Sequence, residues 1–322
     1  MTPPRADRAD DPTQPQPQAD ARPDAPRPDA SLPRGPVLGP EDDGGNGAGP
    51  ATSRSAMQLG LDEETSERLA RDRKFVWALA RGLEIRRAFS VRPAPLGNSE
   101  LAEITDLPKA TITRLTHTLT ELGYLRLIRR LGKYEPTAAL LTLGYPVISS
   151  LRVRLVAREP MLKLASDVDL SIALAARDRL GMIYVDACHP PTMTTIRLEV
   201  GTRVDIATTA LGRAFLAGID PSERDYIFDR LARKLGPAWP DLKARALESI
   251  AEVEERGFCI VDGEWQSDIR AVAAPVVSPD RSEVMALNAA GPRFAASREA
   301  LEQEVGPRLV HLSRAIGPML SR

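Results

Sequence analysis

Residues 98–123 read Asn98-Ser99-Glu100-Leu101-Ala102-Glu103-Ile104-Thr105-Asp106-Leu107-Pro108-Lys109-Ala110-Thr111-Ile112-Thr113-Arg114-Leu115-Thr116-His117-Thr118-Leu119-Thr120-Glu121-Leu122-Gly123. Asn98 or Ser99 can cap a short helix that turns Leu101, Ala102 and Ile104 inward. The three residues Thr105, Asp106 and Leu107 break it, and Pro108 suits the first position of a second helix. That helix buries Ile112, Leu115, Leu119 and Leu122 at helical spacing and stops at Gly123, which accepts the left-handed conformation of a C-terminal cap. Upstream, Val76, Leu79 and Leu83 repeat every three to four residues, Phe89 closes the segment, and Pro93 and Pro95 break the chain. Downstream, Tyr124 to Ile128 alternates, Gly132 turns, and Tyr134 begins a return strand. Helix, short helix, tight turn, longer helix and hairpin make a winged helix-turn-helix over residues 71–135.

Charge supports that reading. The whole chain of 322 residues carries 43 basic and 44 acidic side chains, a net charge of −1. Within residues 71–135, thirteen basic residues stand against seven acidic ones, a net +6. A basic module of this kind is the footprint of a phosphate-backbone binder. With Ile112, Leu115 and Leu119 inward, the second helix presents Lys109, Ala110, Thr113, Arg114 and His117, with Thr111 at the edge. Such a face can lie in a major groove, where arginine pairs with guanine and threonine methyls meet thymine. Arg129, Arg130 and Lys133 sit at the hairpin tip, where a wing meets DNA backbone or minor groove. The plainer alternative is a solvated polar face on an ordinary helix pair.

Residues 1–56 hold twelve of the 28 prolines, a glycine cluster at Gly44, Gly45, Gly47 and Gly49, and almost no apolar residue larger than alanine. They read as a disordered tail, because too little surface can be buried to offset the entropy of ordering. Beyond residue 168 the pattern is mixed. Strands are expected at Ser171–Ala176, Met182–Ala187, Thr194–Val200, Phe258–Val261, Ile269–Val277 and Glu283–Ala289. Helices are expected at Thr209–Ile219, Pro221–Leu235, Asp241–Arg256 and Ser297–Ser321. Strands surrounding a helical block imply an α+β fold with an antiparallel sheet.

The residues resemble a family. Arg81–Ile85, Glu100–Ile104, Leu107–Thr111 and Leu119–Leu125, then Thr209–Ala214, Arg256–Phe258, Ile269–Val276 and Ala286–Asn288, are similar to IclR-type transcriptional regulators across residues 71–322. Asp72–Val76 with Leu79–Leu83, and Leu143-Gly144-Tyr145 with Ser149-Ser150, resemble its protocatechuate, 4-hydroxybenzoate and β-ketoadipate branch. The resemblance implies a linker helix over 136–160 and a GAF-like α/β effector-binding domain over 161–322. It also implies a homodimer or dimer of dimers on palindromic double-stranded DNA operators. Carried across, its pocket positions are Ala210, Leu211, Asp262, Ala271, Asn288 and Ala290. Arg270 is added as a carboxylate partner on guanidinium geometry. Plainer roles are a dimer-contact arginine at 270, a sheet-satisfied amide at Asn288 and a turn residue at Asp262. The chain departs from the family at Asp106, where glycine is common, and at Pro146, which should kink the linker helix. Alanine at 271 and 290 suggests an apolar or aromatic effector.

No enzyme motif is visible. His117, His189 and His311 lack metal-ligand spacing, and Cys188 and His189 are neighbours that on a strand point to opposite faces. Cys259 reads as a small buried hydrophobe. Asp262, Glu264 and Asp268 have no accompanying nucleophile. No cofactor and no metal are expected. With neither a membrane-length apolar run nor a signal-type segment in the first thirty residues, the expectation is a cytoplasmic protein. The leading reading is a DNA-binding transcriptional regulator controlled by a small organic acid, an aromatic acid or β-ketoadipate-pathway metabolite. The alternative is a small-molecule-processing enzyme with an appended DNA-binding-like domain.

Overall fold

The structure, a computed structural model, describes residues 63–92, 94–191 and 198–320. The tail expected over residues 1–56 lies outside them. Helix α1 (Glu63–Arg71) precedes the three helices of the DNA-binding module, α2 (Trp77–Val91), α3 (Asn98–Thr105) and α4 (Lys109–Glu121). A hairpin of β1 (Leu125–Ile128) and β2 (Lys133–Pro136) follows, with Leu125 opposite Pro136. Leu96 bridges Tyr134 and adds a third rung to the wing. Ile85, Leu96, Leu101, Leu107, Ile112 and Leu125 form one small core beneath these elements.

Local chemistry sets the corner between α3 and α4. Asp106 adopts the left-handed conformation with φ 53° at the end of α3, a region that aspartate enters at lower cost than most residues. Pro108 stands just before α4, with φ −56° and ψ 140°, rather than inside it. The cap of α3 is Gly97, whose N–H donates to Glu100 Oε2 at 2.7 Å. Leu122, expected in the core, is exposed, because α4 ends one residue earlier and the chain swings away at Gly123 (φ 78°).

A short 3-10 turn (Ala138–Leu140) leads into α5 (Leu141–Ser150), which is followed by α6 (Arg152–Val168). Pro146, expected to kink the linker helix, lies inside α5, which is unbroken there, and the axis turns by 84° between Ser150 and Arg152. Leu151 leaves helical geometry with ψ 89°. The hydroxyls of Ser149 and Ser150 donate to the carbonyls of Pro146 and Val147. The Leu151 N–H also donates to the Val147 carbonyl, so the last turn is closed before the chain bends.

The rest is α+β, as the sequence pattern implied. Strands β3 (Ser171–Asp178), β4 (Gly181–Cys188), β5 (Arg203–Asp205), β6 (Cys259–Asp262), β7 (Ile269–Val277) and β8 (Val284–Pro292) form one sheet of order β5-β4-β3-β8-β7-β6. All its pairings are antiparallel. The strand expected at Thr194–Val200 falls mostly outside the described residues, and Leu198–Val200 is not in a strand. Helices α7 (Ala210–Gly218), α8 (Pro221–Leu235) and α9 (Trp239–Arg256) cover one sheet face. On the other lie α6 and a terminal helical stretch: α10 (Arg298–Ala300), a π turn (Leu301–Val305) and α11 (Gly306–Ile316).

Strand alternation sorts the sheet into two cores. Ala173, Ala175, Ile269, Ala273, Ala286 and Ala290 pack toward α7–α9. Ile172, Leu174, Val272, Ala274, Leu287 and Ala289 pack toward α6 and α11. Small residues on the first face leave room there, and a cavity lies on that face.

Candidate functional sites: the recognition helix and the sheet cavity

On α4, Lys109, Ala110, Thr113, Arg114 and His117 are all exposed, and Thr111 is half-buried at the margin. Ile112 and Thr116 are buried on the opposite side. Thr113, Thr116, Thr118 and Thr120 each return a hydroxyl to a carbonyl four residues back. Asn98 Nδ2 donates to Thr113 Oγ1 at 3.1 Å, pinning α3 to α4 at their crossing. His117 lies 3.9 Å from Glu121 one turn on. Arg129 and Arg130 are exposed in the wing turn. Lys133, expected beside them at the tip, begins β2 and places Nζ 2.9 Å from Glu100 Oε1. The Gly97 N–H and this ammonium hold the Glu100 carboxyl below its usual range. Lys133 therefore ties the wing to α3.

The second site is a cavity between the sheet and the start of α7. Ala210, Leu211, Ala271, Asn288 and Ala290, five of the positions carried across by the family resemblance, line it. Its empty volume, counted to the open mouth, is about 390 Å³. Room for the centre of a water-sized molecule is only about 30 Å³, so the space is a narrow slot. Tyr184, Thr208, Thr209, Val261, Glu264 and Trp265 also line it, and the sequence did not single them out for it. Tyr184 and Val261 sit in segments that read simply as apolar strands. Glu264 and Trp265 are on the β6–β7 connection, which carries no pattern of its own.

Helix α7 points its N-terminus at the slot. Thr209 caps it by accepting from Gly212 N at 3.1 Å. The first amides of the helix, at Ala210 and Leu211, have no intrahelical acceptor and form a natural anion site. Gly212 is required at this approach, since a Cβ there would stand 2.2 Å from Ile206 O. Across the slot, Asn288 is buried with its Oδ1 lacking a hydrogen-bond partner among the described residues. Tyr184 also lines the slot, and burial pushes its hydroxyl pKa upward, with Asn288 opposing the shift.

Asp262 and Arg270 do not line the slot. They face each other across the β6–β7 pairing, one residue out of phase with Val261 and Ala271, so alternation sends them to the opposite side. Arg270 Nη2 meets Asp262 Oδ2 at 2.7 Å, and its Nη1 donates to Ala296 O at 2.8 Å. Arg293 also pairs with Asp262. The guanidinium assigned to an effector is thus engaged by the protein. Behind the slot's wall, Arg213, buried on α7, grips the lining residue Glu264 through both terminal nitrogens and bonds Ala207 O at 2.9 Å. Arg245 reaches the same carboxylate at 3.2 Å. Together they fix the loop that carries Trp265.

No other described cluster offers reactive chemistry. Cys259 is fully buried, its thiol pushed up to about 12 by desolvation, and Cys188 is raised to about 11 for the same first cause. His189 Nδ1 is 2.8 Å from Ser171 Oγ rather than against Cys188. No group of three or more metal-ligating side chains occurs among the described residues.

The profile of the IclR helix-turn-helix domain matches residues 78–128, and that of the bacterial transcriptional regulator IclR C-terminal domain matches residues 145–317. The chain belongs to the IclR family. This IclR-family protein is 32% identical to the HTH-type transcriptional regulator TsaQ1/TsaQ2 of Comamonas testosteroni, over 75% of its own length and 87% of the relative's. It is 29% identical to the Pca regulon regulatory protein of Pseudomonas putida, over 76% and 84% of the two chains. Among solved structures it is similar to an IclR family transcriptional regulator from Brucella abortus, with 40% identity and a TM-score of 0.67 over 76% of this chain and 92% of that one. The IclR-family protein is accordingly a DNA-binding transcriptional regulator with an effector domain. The enzyme alternative is set aside, because the matched families and relatives are regulators.

The Asp262 cluster makes an acid-stability prediction. Hydrogen bonds from Arg270 first, then Arg293, hold the Asp262 carboxyl below the usual carboxylate range. A lowered folded value stabilises the protein above the unfolded value of about 3.9 and loses that contribution as pH falls through the folded one. Asp262→Asn should therefore flatten the fall in melting temperature between about pH 5 and pH 2. Parallel melting curves for the two proteins in that window would refute it.

Proposed function

We propose that this regulator reads its operator with the exposed face of α4, and that a small aromatic acid in the sheet cavity sets its affinity for DNA. The observation that carries the effector class is the slot itself. Unpaired amides at Ala210 and Leu211 suit a carboxylate, Leu198, Val261, Ile269, Ala271 and Ala290 supply flat apolar walls, and Asn288 Oδ1 accepts from a hydroxyl. A single-ring hydroxy acid has that pattern of groups. The similarity to the Pca regulon regulatory protein supports the same class. Trp265 lines the slot and provides the signal. Protocatechuate or 4-hydroxybenzoate should change its fluorescence saturably, and β-ketoadipate less. No response to any single-ring acid would sink the aromatic reading.

Arg114, Lys109, Ala110, Thr111, Thr113 and His117 are the proposed groove-facing set, with Arg129 and Arg130 on backbone from the wing. Arg114→Ala should weaken operator binding by about 1–3 kcal/mol and relax base preference at one position. Equal loss across unrelated sequences would reassign Arg114 to phosphate.

The working form is a homodimer in the cytoplasm, or a dimer of dimers. Helix α5 buries none of its residues against this chain, and Leu141, Leu143, Tyr145 and Val147 on it are exposed alongside Leu79 and Leu83 of α2. A helix this apolar calls for a partner surface, and a second copy supplies the same residues. Sedimentation should give a multiple of the 35.0 kDa chain mass, falling toward the monomer for Leu143→Glu. A monomeric parent protein would rule the arrangement out.

A further inference from the structure

The sheet departs from strict alternation in the pairing of β3 with β4. Ala175 stands opposite Tyr184 and Leu174 opposite Asp186, so Val185 is an extra residue in the ladder. Ala175 belongs to the core on the cavity side and Leu174 to the core beneath α6. Two residues that are i and i+2 on an unbroken strand share a face. The bulge sends Tyr184 and Asp186 to opposite faces instead.

Each then meets something of consequence. Tyr184 lines the cavity. Asp186 has no exposed surface, and it lies 2.6 Å from Arg158 Nη1 and 3.3 Å from Arg154 Nε. These arginines are one turn apart on α6, in the segment that begins directly after the 84° bend. Asp186 Oδ1 also accepts the Ala187 N–H at 2.9 Å. Arg154 Nε and Asp186 Oδ2 are both buried, and neither makes a hydrogen bond among the described residues. One carboxylate thus holds the first turns of α6, with one of its two contacts not fully formed. Because a buried charge stripped of its partners is costly, the arginines must follow Asp186 when the strand moves.

We propose that Asp186 is the positioning residue that transmits the state of the cavity to the linker, with the Val185 bulge coupling Tyr184 on one face to Arg154 and Arg158 on the other. The proposal rests on the reading of the cavity as the effector site. An occupant that displaces Tyr184 shifts β4, Asp186 moves with it, and the start of α6 re-aims α5, which leads back to the DNA-binding module. The incompletely bonded contact with Arg154 allows a second arrangement of the same three side chains.

The test is a double-substitution cycle on the full chain, read as affinity for the DNA flanking its own gene. Ala271→Leu fills the slot without any ligand and should change that affinity by at least about fivefold, the low end of ordinary allosteric coupling. In the Asp186→Asn background the same substitution should change it by under about twofold, since coupling is what the cycle isolates. Arg158→Gln, at a half-exposed guanidinium, should blunt the response in the same way, and its cycle decides the matter if Asp186→Asn does not fold. Equal fold-changes in parent and variant backgrounds would overturn the proposal, as would an unchanged DNA affinity for Ala271→Leu alone. With 4-hydroxybenzoate as probe, Asp186→Asn should still bind it while DNA affinity no longer responds; loss of that binding would count against the proposal. Failure of the parent protein to bind 4-hydroxybenzoate overturns the effector class alone, because the Ala271→Leu cycle needs no ligand.

Discussion

A strand can offer its side chains to only two faces, and in this protein the six-stranded sheet uses that constraint to separate two tasks. One face carries small residues, Ala173, Ala175, Ala271, Ala273, Ala286 and Ala290, and so leaves a slot under α7. The other carries Ile172, Leu174, Val272 and Leu287 and is filled by α6 and α11. A one-residue slip would exchange the two sets and abolish the cavity. Parity decides which strand residues line the cavity, Val261, Ile269, Ala271, Asn288 and Ala290, and which, Asp262 and Arg270, do not.

Ion pairs then fix what parity leaves loose. Arg213 and Glu264 join α7 to the loop carrying Trp265, so the slot has a wall where the chain has no regular structure. Asp262, Arg270 and Arg293 hold the start of β7 and the end of β8 from the far side. Buried pairs of this kind add little net stability, because desolvation offsets most of the Coulomb gain. Their contribution is geometric: a loop held by a bidentate guanidinium keeps one position.

Much of this was legible beforehand. Helix α8 and strand β7 have the boundaries that the sequence pattern gave, Pro221–Leu235 and Ile269–Val277, because a capping Asp220 and Pro221 start the helix and a run that is apolar but for Arg270 marks the strand. The recognition helix was legible for the same reason: its polar face is read directly from a 3.6-residue repeat. The bend of the linker was not. Pro146 is the usual breaker, but α5 runs through it, and the turn falls at Leu151, whose backbone leaves helical geometry. Asp262 and Arg270 were misplaced because position in a motif does not reveal which face of a strand looks into a cavity.

The sequence by itself determined the class of the protein: a basic winged helix-turn-helix followed by an antiparallel α+β domain, with five of the six positions carried across by family resemblance lying in the cavity lining. Local periodicity and turn chemistry suffice for that, since each acts over a few residues. Only the tertiary structure decided that Tyr184, Glu264 and Trp265 meet Asn288, that Arg270 is spent on Asp262, and that Val185 puts Asp186 under the linker. Those outcomes depend on register between strands distant in sequence and on a single bulge. Neither leaves a trace in the order of residues along any one strand.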